Sequence, residues 1–185
     1  PQVLVESTRT PKSPALEPCS FGSMPNDGKG NLIVEPADYA DFAADPVAAK
    51  YLRPFKGARE LVRGLDRWCL WMVDLEPGDL AKSTLLKQRV EKVQQAREAS
   101  KRTATKKLAS TPYLFGERRQ PVIAYLAIPS VVSETRKYFI ADRLSKETVL
   151  SNLAFWAPDE DGFLFGLVSS SMFIQWQRTV GGRMK

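Results

Sequence analysis

Acidic side chains at two points of the sequence could bind a divalent cation and support phosphodiester hydrolysis. Asp159, Glu160 and Asp161 are consecutive between a proline and a glycine, and Glu134 precedes Thr135-Arg136-Lys137. Carboxylate oxygens are the ligands that Mg²⁺ prefers, and a nuclease uses the bound metal to activate water. Three adjacent carboxylates in a turn are more typical of a solvated loop, and the second segment has Arg136 where the Glu-x-Lys half of a nuclease motif has lysine. A divalent-metal nuclease using Asp159, Asp161 and Glu134 is therefore the alternative function.

Other catalytic groups are missing from the sequence. Histidine, the usual general base and the commonest metal ligand, does not occur. Cys19 and Cys69 are too few for a structural zinc site, and we expect reduced thiols. Gly28-Lys29-Gly30 lacks P-loop spacing and predicts a plain turn. Neither a glycine-rich methyltransferase cofactor loop nor an Asn/Asp-Pro-Pro-aromatic tetrapeptide appears. We therefore expect no catalytic residue, no metal site and no cofactor in this chain.

Glu134 and Arg136 could instead read DNA bases. They are two residues apart, so in an extended segment both side chains project to the same side. Arginine donates to guanine and glutamate accepts from cytosine in the major groove. A plain surface ion pair explains the spacing equally well. The segment Glu117-Arg118-Arg119-Gln120 offers the same residue types in a second polar loop.

The positive charge of the chain is concentrated in one stretch. Residues 82–107 contain nine lysines and arginines against Glu91 and Glu98, which gives this stretch +7, whereas the whole chain carries +6. Charge focused on one element attracts a polyanion better than charge spread evenly. A solvated helix face is the simpler interpretation, but such helices normally mix signs to form i,i+4 pairs. The excess therefore favours contacts with nucleic-acid phosphates, which give affinity without sequence information.

Helices and strands must position these acidic and basic side chains. The longest predicted helix contains the basic stretch at 82–107. Residues 80–110 contain no glycine or proline, and a narrow apolar stripe runs along them through Leu86, Val90, Val93, Ala104 and Leu108. Arg97 falls within the stripe and Lys101 flanks it, so these two side chains either pair or face a cleft. Thr111-Pro112 ends the helix.

Shorter elements surround this helix. One helix is predicted over 35–44, and a second, short helix starts at Asp45-Pro46 and ends near Tyr51. A buried helix is predicted from about Ser169, while 58–63 has no clear preference for helix or strand. Strands are predicted at 3–5, 32–34, 67–73 (a central strand), 122–128, 136–140 and 153–157. The predicted fold class is α+β: a mixed, mainly antiparallel sheet with one long basic helix and several shorter helices.

The length of 185 residues fits one domain. Prolines at 1, 11, 14 and 18 predict that residues 1–20 form an extended connection from a preceding domain, with the single domain at 21–185. The first residue is not methionine, and we expect a fragment of a longer chain. No apolar run is long enough to span a membrane, and we expect a cytoplasmic protein without a membrane partner.

Six phrases, in order along nearly the whole chain, resemble consecutive signatures of one family. They read FGSMPNDG at 21–28, KYLRPFKGARE at 50–60, RWCLW at 67–71, ASKR at 99–102, LFGE at 114–117 with RQP at 119–121, and WQRTVGGR at 176–183. The chain resembles the target recognition domain of the MmeI-type (type IIL/IIG) single-chain restriction–modification methyltransferases of bacteria.

This resemblance implies a DNA-reading role. The parent chain would be an adenine-specific DNA methyltransferase that uses S-adenosylmethionine, often with a nuclease at its far N-terminus, and the methyltransferase domain of the same chain would methylate the flipped adenine. The family places base-reading residues in a Ser-Glu-x-Arg-Arg-Tyr segment, which here is 133–138 with Lys137 as the second basic residue.

The expected partners are double-stranded DNA and that methyltransferase domain; an RNA-binding or docking module is a milder alternative. We expect base reading by Glu134, Arg136, Arg102 and Tyr138, and phosphate binding by Arg59, Arg63, Arg97, Lys101, Lys106 and Arg118.

Overall fold

The computed structural model describes residues 19–133 and 135–180. The strands of these residues are β1 (Ser20–Phe21), β2 (Ile33–Val34), β3 (Leu52–Lys56), β4 (Trp68–Leu70), β5 (Tyr125–Pro129), β6 (Asp142–Leu144), β7 (Val149–Leu150) and β8 (Ala154–Pro158). The helices are α1 (Tyr39–Ala44), α2 (Ala58–Arg63), α3 (Asp79–Lys82), α4 (Thr84–Glu98), α5 (Thr103–Lys107), α6 (Phe163–Val168) and α7 (Ser171–Val180), with 3₁₀ turns at Ala48–Tyr51 and Leu108–Ser110. The predicted strand at 3–5 and the predicted connection, up to residue 18, lie outside the described residues.

The strands form two four-stranded sheets, ordered β1-β8-β5-β6 and β2-β4-β3-β7. Every pairing is antiparallel except that between β3 and β7. The predicted α+β class with mainly antiparallel strands is confirmed, although there are two sheets rather than one. The central position predicted for 67–73 is confirmed at β4, which lies between β2 and β3 with Cys69 and Leu70 fully buried.

The main core lies between the second sheet and α4. Leu86, Val90 and Val93 of α4 are buried, as their helical spacing predicted, and they join a cluster that contains strand residues such as Val34 and Leu70. A fully buried aliphatic side chain contributes roughly 1.5–3 kcal/mol. This packing fixes α4 and with it the orientation of its basic face.

Residues 80–110 do not form a single helix. The hydroxyl of Ser83 accepts a hydrogen bond from the Leu86 amide at 3.2 Å and thereby starts α4 anew after α3. A second interruption at 99–102 separates α4 from α5. It turns the chain back so that the carbonyl groups of Leu108 and Thr111 reach the side chain of Arg97. Long-range contacts thus override a favourable local helix propensity.

Two other elements differ from the sequence predictions. Residues 136–140 are not a strand, because the ring of Phe139 packs against Phe173 of α7 (5.1 Å between centroids) and β6 begins only at Asp142. The predicted buried helix from Ser169 is α7, but only its Ile174 is buried. Met172 is 79% exposed and Trp176 57% exposed, so α7 covers the domain with one face alone.

Candidate nucleic-acid interface

The loop that joins β5 to β6 (residues 130–141, here the β5–β6 loop) carries the predicted base readers. Arg136 and Tyr138 are exposed, Tyr138 at 60%. The Arg136 Nη2 donates to the carbonyl of Val62 at the end of α2, over 3.4 Å, and Arg178 of α7 donates to the Arg136 carbonyl. Glu134 lies outside the described residues. Through Arg136, the β5–β6 loop therefore contacts both α2 and α7.

Helix α2 presents the two arginines predicted to bind phosphate. A buried carboxylate, Glu60, begins the helix by accepting from the Gly57 amide at 2.9 Å. Arg59 is exposed, with its Nε 3.2 Å from Glu60 Oε1, so this carboxylate offsets part of its charge. Arg63 is also exposed and follows Val62, the residue that Arg136 contacts. The structure thus places Arg136 against the residue that precedes Arg63.

The nine cations of the basic stretch divide into two groups. Three are engaged within the domain: Lys82 lies 3.5 Å from Asp79, Arg89 lies 2.7 Å from Asp38, and Arg97 is buried. The other six are exposed and form no ion pair with a carboxylate of the described residues; they are Lys87, Lys92, Lys101, Arg102, Lys106 and Lys107. The predicted residues Lys101, Arg102 and Lys106 belong to this exposed group, around the start of α5.

Arg97 does not belong to this surface, and its burial argues against the predicted phosphate-binding role. The residue is 1% exposed. Its Nε and its two terminal nitrogens donate five hydrogen bonds of 2.7–2.9 Å to the carbonyls of Pro25, Asn26, Leu108, Thr111 and Leu114. Arginine has five N–H donors, so its capacity is filled by the main chain and none remains for a phosphate.

Burial lowers the pKa of the Arg97 guanidinium, while the carboxylate of Asp27 acts in the opposite direction. Arginine remains protonated because its ordinary pKa lies far above neutrality. Asp27 is itself buried and accepts from the Leu32 amide at 2.6 Å. Through its hydrogen bonds and its attraction to Asp27, Arg97 therefore connects the 25–27 turn to the segment after α5.

The polar loop at 117–120 has mostly structural contacts. The Arg119 amide donates to the Ser23 hydroxyl at 3.0 Å, and its guanidinium pairs with Glu117. The side-chain amide of Gln120 donates to the carbonyls of Lys146 and Thr148 at 3.0 and 2.7 Å. Arg118 is exposed and remains the phosphate candidate of this loop.

The acidic turn serves the fold as a helix start. Both carboxylate oxygens of Asp159 accept from amides of α6, namely those of Leu164 at 3.0 Å and Phe165 at 3.1 Å, and Asp161 accepts from Phe163 at 2.9 Å. Among the described residues, no cluster of three or more acidic or thiol side chains is arranged to hold a metal ion. The contacts of Asp159 and Asp161 favour a helix cap over a nuclease site.

Both cysteines are free thiols, with Cys19 exposed and Cys69 buried. Burial raises the pKa of the Cys69 thiol well above its usual range, so this group is an unreactive part of the core. Among the residues described here, no helix is long and apolar enough to cross a membrane.

Buried carboxylates begin helices of this domain, while most of its described lysines and arginines other than Arg97 are at least partly exposed. These are the properties of a polyanion-binding domain. Comparison with known proteins identifies it further. The family model described as "MmeI, target recognition domain" matches residues 1–185. The chain belongs to this family of target recognition domains.

Two relatives illustrate this relationship. DNA methyltransferase A of Bacillus subtilis (strain 168) is 32% identical over 183 residues, which is 98% of this chain and 21% of that protein. The solved structure of the type IIL restriction-modification enzyme MmeI in complex with DNA is also 32% identical, with a TM-score of 0.85 over 98% of this chain and 24% of that one. The chain thus spans between a fifth and a quarter of the length of these relatives.

Proposed function

We propose that this chain is the DNA-sequence-recognition module of a restriction–modification methyltransferase. It binds duplex DNA and presents the target adenine to a separate methyltransferase domain of the same polypeptide, which uses S-adenosylmethionine. The observation that carries the proposal is the group of six exposed lysines and arginines in 87–107 that no described carboxylate neutralises. A solved relative in complex with DNA supports the same partner.

We assign two roles to the exposed side chains. The side chains proposed to bind phosphate are all exposed. They are Arg59, Arg63, Lys101, Lys106 and Arg118. Base reading falls to Arg136, Tyr138 and Arg102, together with Glu134. Arginine forms bidentate contacts with guanine, and such a contact distinguishes the correct base by roughly 1–3 kcal/mol.

The two roles predict different responses to mutation in the full-length enzyme. Lys101→Glu and Lys106→Glu should weaken binding to every duplex about equally. Each lost phosphate contact should also reduce the slope of log K against log salt by about 0.9. Arg136→Ala should instead change the preference at one base pair of the methylated site. Lys146→Glu, at an exposed lysine in the β6–β7 turn, is the matched control.

Binding to duplexes of cognate and unrelated sequence, measured over a salt series, tests the phosphate role. Sequencing of methylated positions tests the reading role. If Lys101→Glu and Lys106→Glu leave the salt slope unchanged, the basic stretch is only a solvated surface. If a pure preparation of the isolated chain cleaves DNA in the presence of Mg²⁺, the nuclease alternative is correct.

The parent polypeptide is proposed to be a cytoplasmic, site-specific adenine methyltransferase. Phe163 and Leu167 on α6 and Met172 on α7 expose an apolar surface on this domain. We propose that the methyltransferase domain covers this surface, because the remaining parts of the relatives are between three and four times as long as the part that this chain matches. Phe163→Ser with Met172→Ser should lower the melting temperature of the full-length enzyme and leave that of the isolated chain unchanged. Equal effects on both would refute this contact.

A further inference from the structure

We propose that α7 is the support that positions the β5–β6 loop for base reading, with Arg178 and Phe173 as positioning residues. The inference rests on the proposed function, since it assumes that this loop meets the bases. It assigns a role to Arg178 of the WQRTVGGR phrase at 176–183, whose part in DNA recognition the sequence leaves open.

The loop has little structure of its own. Between β5 and β6, residues 130–141 contain neither helix nor strand among the described positions, and Ser133 and Thr135 bond mainly to each other, 2.9 Å apart through their hydroxyls. Ordering such a segment costs backbone conformational entropy at every residue. External contacts must therefore hold the loop if its side chains are to meet a base edge in a defined orientation.

Helix α7 supplies two such contacts. The guanidinium of Arg178 donates to the main-chain carbonyl of Arg136, and the ring of Phe173 meets the ring of Phe139 edge-on, at 5.1 Å and 79°. Phe173 is itself packed against Trp176, with 6.0 Å between ring centroids. One contact fixes the backbone of the candidate reader, and the other anchors the loop three residues later.

The helical spacing separates this supporting face from the exposed face. At 100° per residue, Phe173, Ile174 and Arg178 lie toward the domain, and all three are buried or half-buried. Met172 and Gln175 lie on the other side and are exposed. Substitutions on the two faces of one helix can therefore be compared directly.

Arg136 is consequently held at two points. Its backbone is held by α7 through Arg178, and its guanidinium donates to Val62 at the end of α2, over 3.4 Å. A bidentate contact with guanine tolerates little displacement, so preorganisation of this residue reduces the ordering cost when DNA binds. Loss of the α7 contact should therefore reduce sequence discrimination more than overall affinity.

The test uses the full-length enzyme with Arg178→Ala, Arg178→Lys and the exposed-face control Gln175→Ala. We expect Arg178→Ala to reduce the kcat/KM ratio between the cognate duplex and one with a single changed base pair by about tenfold, within the range of one base contact. Affinity for unrelated duplex should change by less than about twofold, because phosphate contacts remain. Arg178→Lys keeps a donor and should restore part of the ratio, and Gln175→Ala should leave it unchanged.

A second pair of variants guards against misfolding. Phe139→Leu and Phe173→Leu each keep a large apolar side chain but remove the ring–ring contact, and each should lower the same ratio. The double variant should lose no more than the larger single effect, because both remove one contact. Additive losses would show that the two rings act independently and would overturn the proposal.

The outcomes separate this inference from the proposed function. If Arg136→Ala alters the preference but Arg178→Ala does not, the positioning role is wrong and the reading role stands. If neither alters it, both assignments are wrong. If Arg178→Ala weakens all duplexes equally, Arg178 binds phosphate itself and positions nothing. If Arg178→Ala alters the preference while Arg136→Ala does not, α7 positions a loop whose reader is a neighbour of Arg136.

Discussion

Replacement of Arg97 gives the most demanding test of the structure. Arg97→Met keeps a long, unbranched side chain but removes the charge and all five donors. The half-buried residues Pro25, Asn26, Leu108, Thr111 and Leu114 around it then have carbonyls without these partners. An acceptor left without a hydrogen bond away from water costs roughly 1–3 kcal/mol. At the same time, the variant no longer has the free-energy cost of removing the guanidinium charge from water, which opposes folding of the native protein. The net loss in the free energy of unfolding should be about 3–5 kcal/mol, as for other broken buried charge networks.

Arg97→Lys separates charge from geometry. An ammonium group keeps the positive charge but has three donors in place of a planar fork of five, so some carbonyls remain unpaired. We expect a loss of about 2 kcal/mol, intermediate between wild type and Arg97→Met. Arg102→Met is the matched control, since Arg102 is exposed at the start of α5 and should change stability by less than about 0.5 kcal/mol.

Urea unfolding of the 185-residue chain measures these differences. With an m-value of about 2 kcal/mol/M, Arg97→Met should lower the midpoint by about 1.5–2.5 M, and Arg97→Lys by about 1 M. A midpoint for Arg97→Met within about 0.5 M of wild type, at unchanged m, would contradict a structural role for Arg97. So would a variant of native stability whose only defect is weaker binding to every duplex, because Arg97 would then be a phosphate ligand.

Two further predictions concern the carboxylate of Asp79 and the turn residue Gly28. The pKa of Asp79 is lowered from 3.8 by hydrogen bonds from Lys50 and Tyr51, so its contribution to stability is present above about pH 4 and disappears as the pH falls through the lower, folded-state pKa. Acid titration of Asp79→Asn should lack this part of the stability loss, and the exposed Asp74→Asn should retain it; identical acid curves for both would contradict the assignment. Gly28 has φ +57°, and a Cβ at this position would lie 2.4 Å from the Cβ of Ala96. A Cβ at Gly64 (φ +64°) would meet no other atom within 4 Å. Gly28→Ala should therefore cost more than the roughly 1–3 kcal/mol of backbone strain expected for Gly64→Ala, as measured by urea unfolding, and equal losses would contradict the contact.

The parts of the fold that depend on local patterns were predictable. The stripe Leu86, Val90 and Val93 repeats at helical spacing, and the apolar run around Cys69 matches a strand covered on both faces. Their burial follows from the composition of short segments. The interruption at 99–102 was not predictable in this way, because no glycine or proline marks it. It results from tertiary contacts made after the chain turns back.

The candidate interface was predictable only in part. Lys101, Arg102 and Lys106 are exposed, as a solvated or DNA-facing surface requires, and Arg136 and Tyr138 lie on an exposed loop. The supporting contacts were missed. Arg178 reaches Arg136 across 42 residues of sequence, and Phe173 meets Phe139 from another helix. Neither pair has a short-range pattern, although the family phrase at 176–183 marked the segment.

The sequence alone determined the inventory of chemical groups: no histidine, two distant cysteines, a concentrated basic stretch and the ordered family phrases. It could not determine which of the cations face solvent. Arg97 falls within the apolar stripe of the basic stretch, but that pattern left open whether its side chain pairs or faces a cleft. In the structure it binds carbonyls that lie 11, 14, 17, 71 and 72 residues away, whereas Arg102 is exposed. Only the tertiary structure brings these carbonyls to one point, because a buried guanidinium is stable only where the folded chain surrounds it with acceptors.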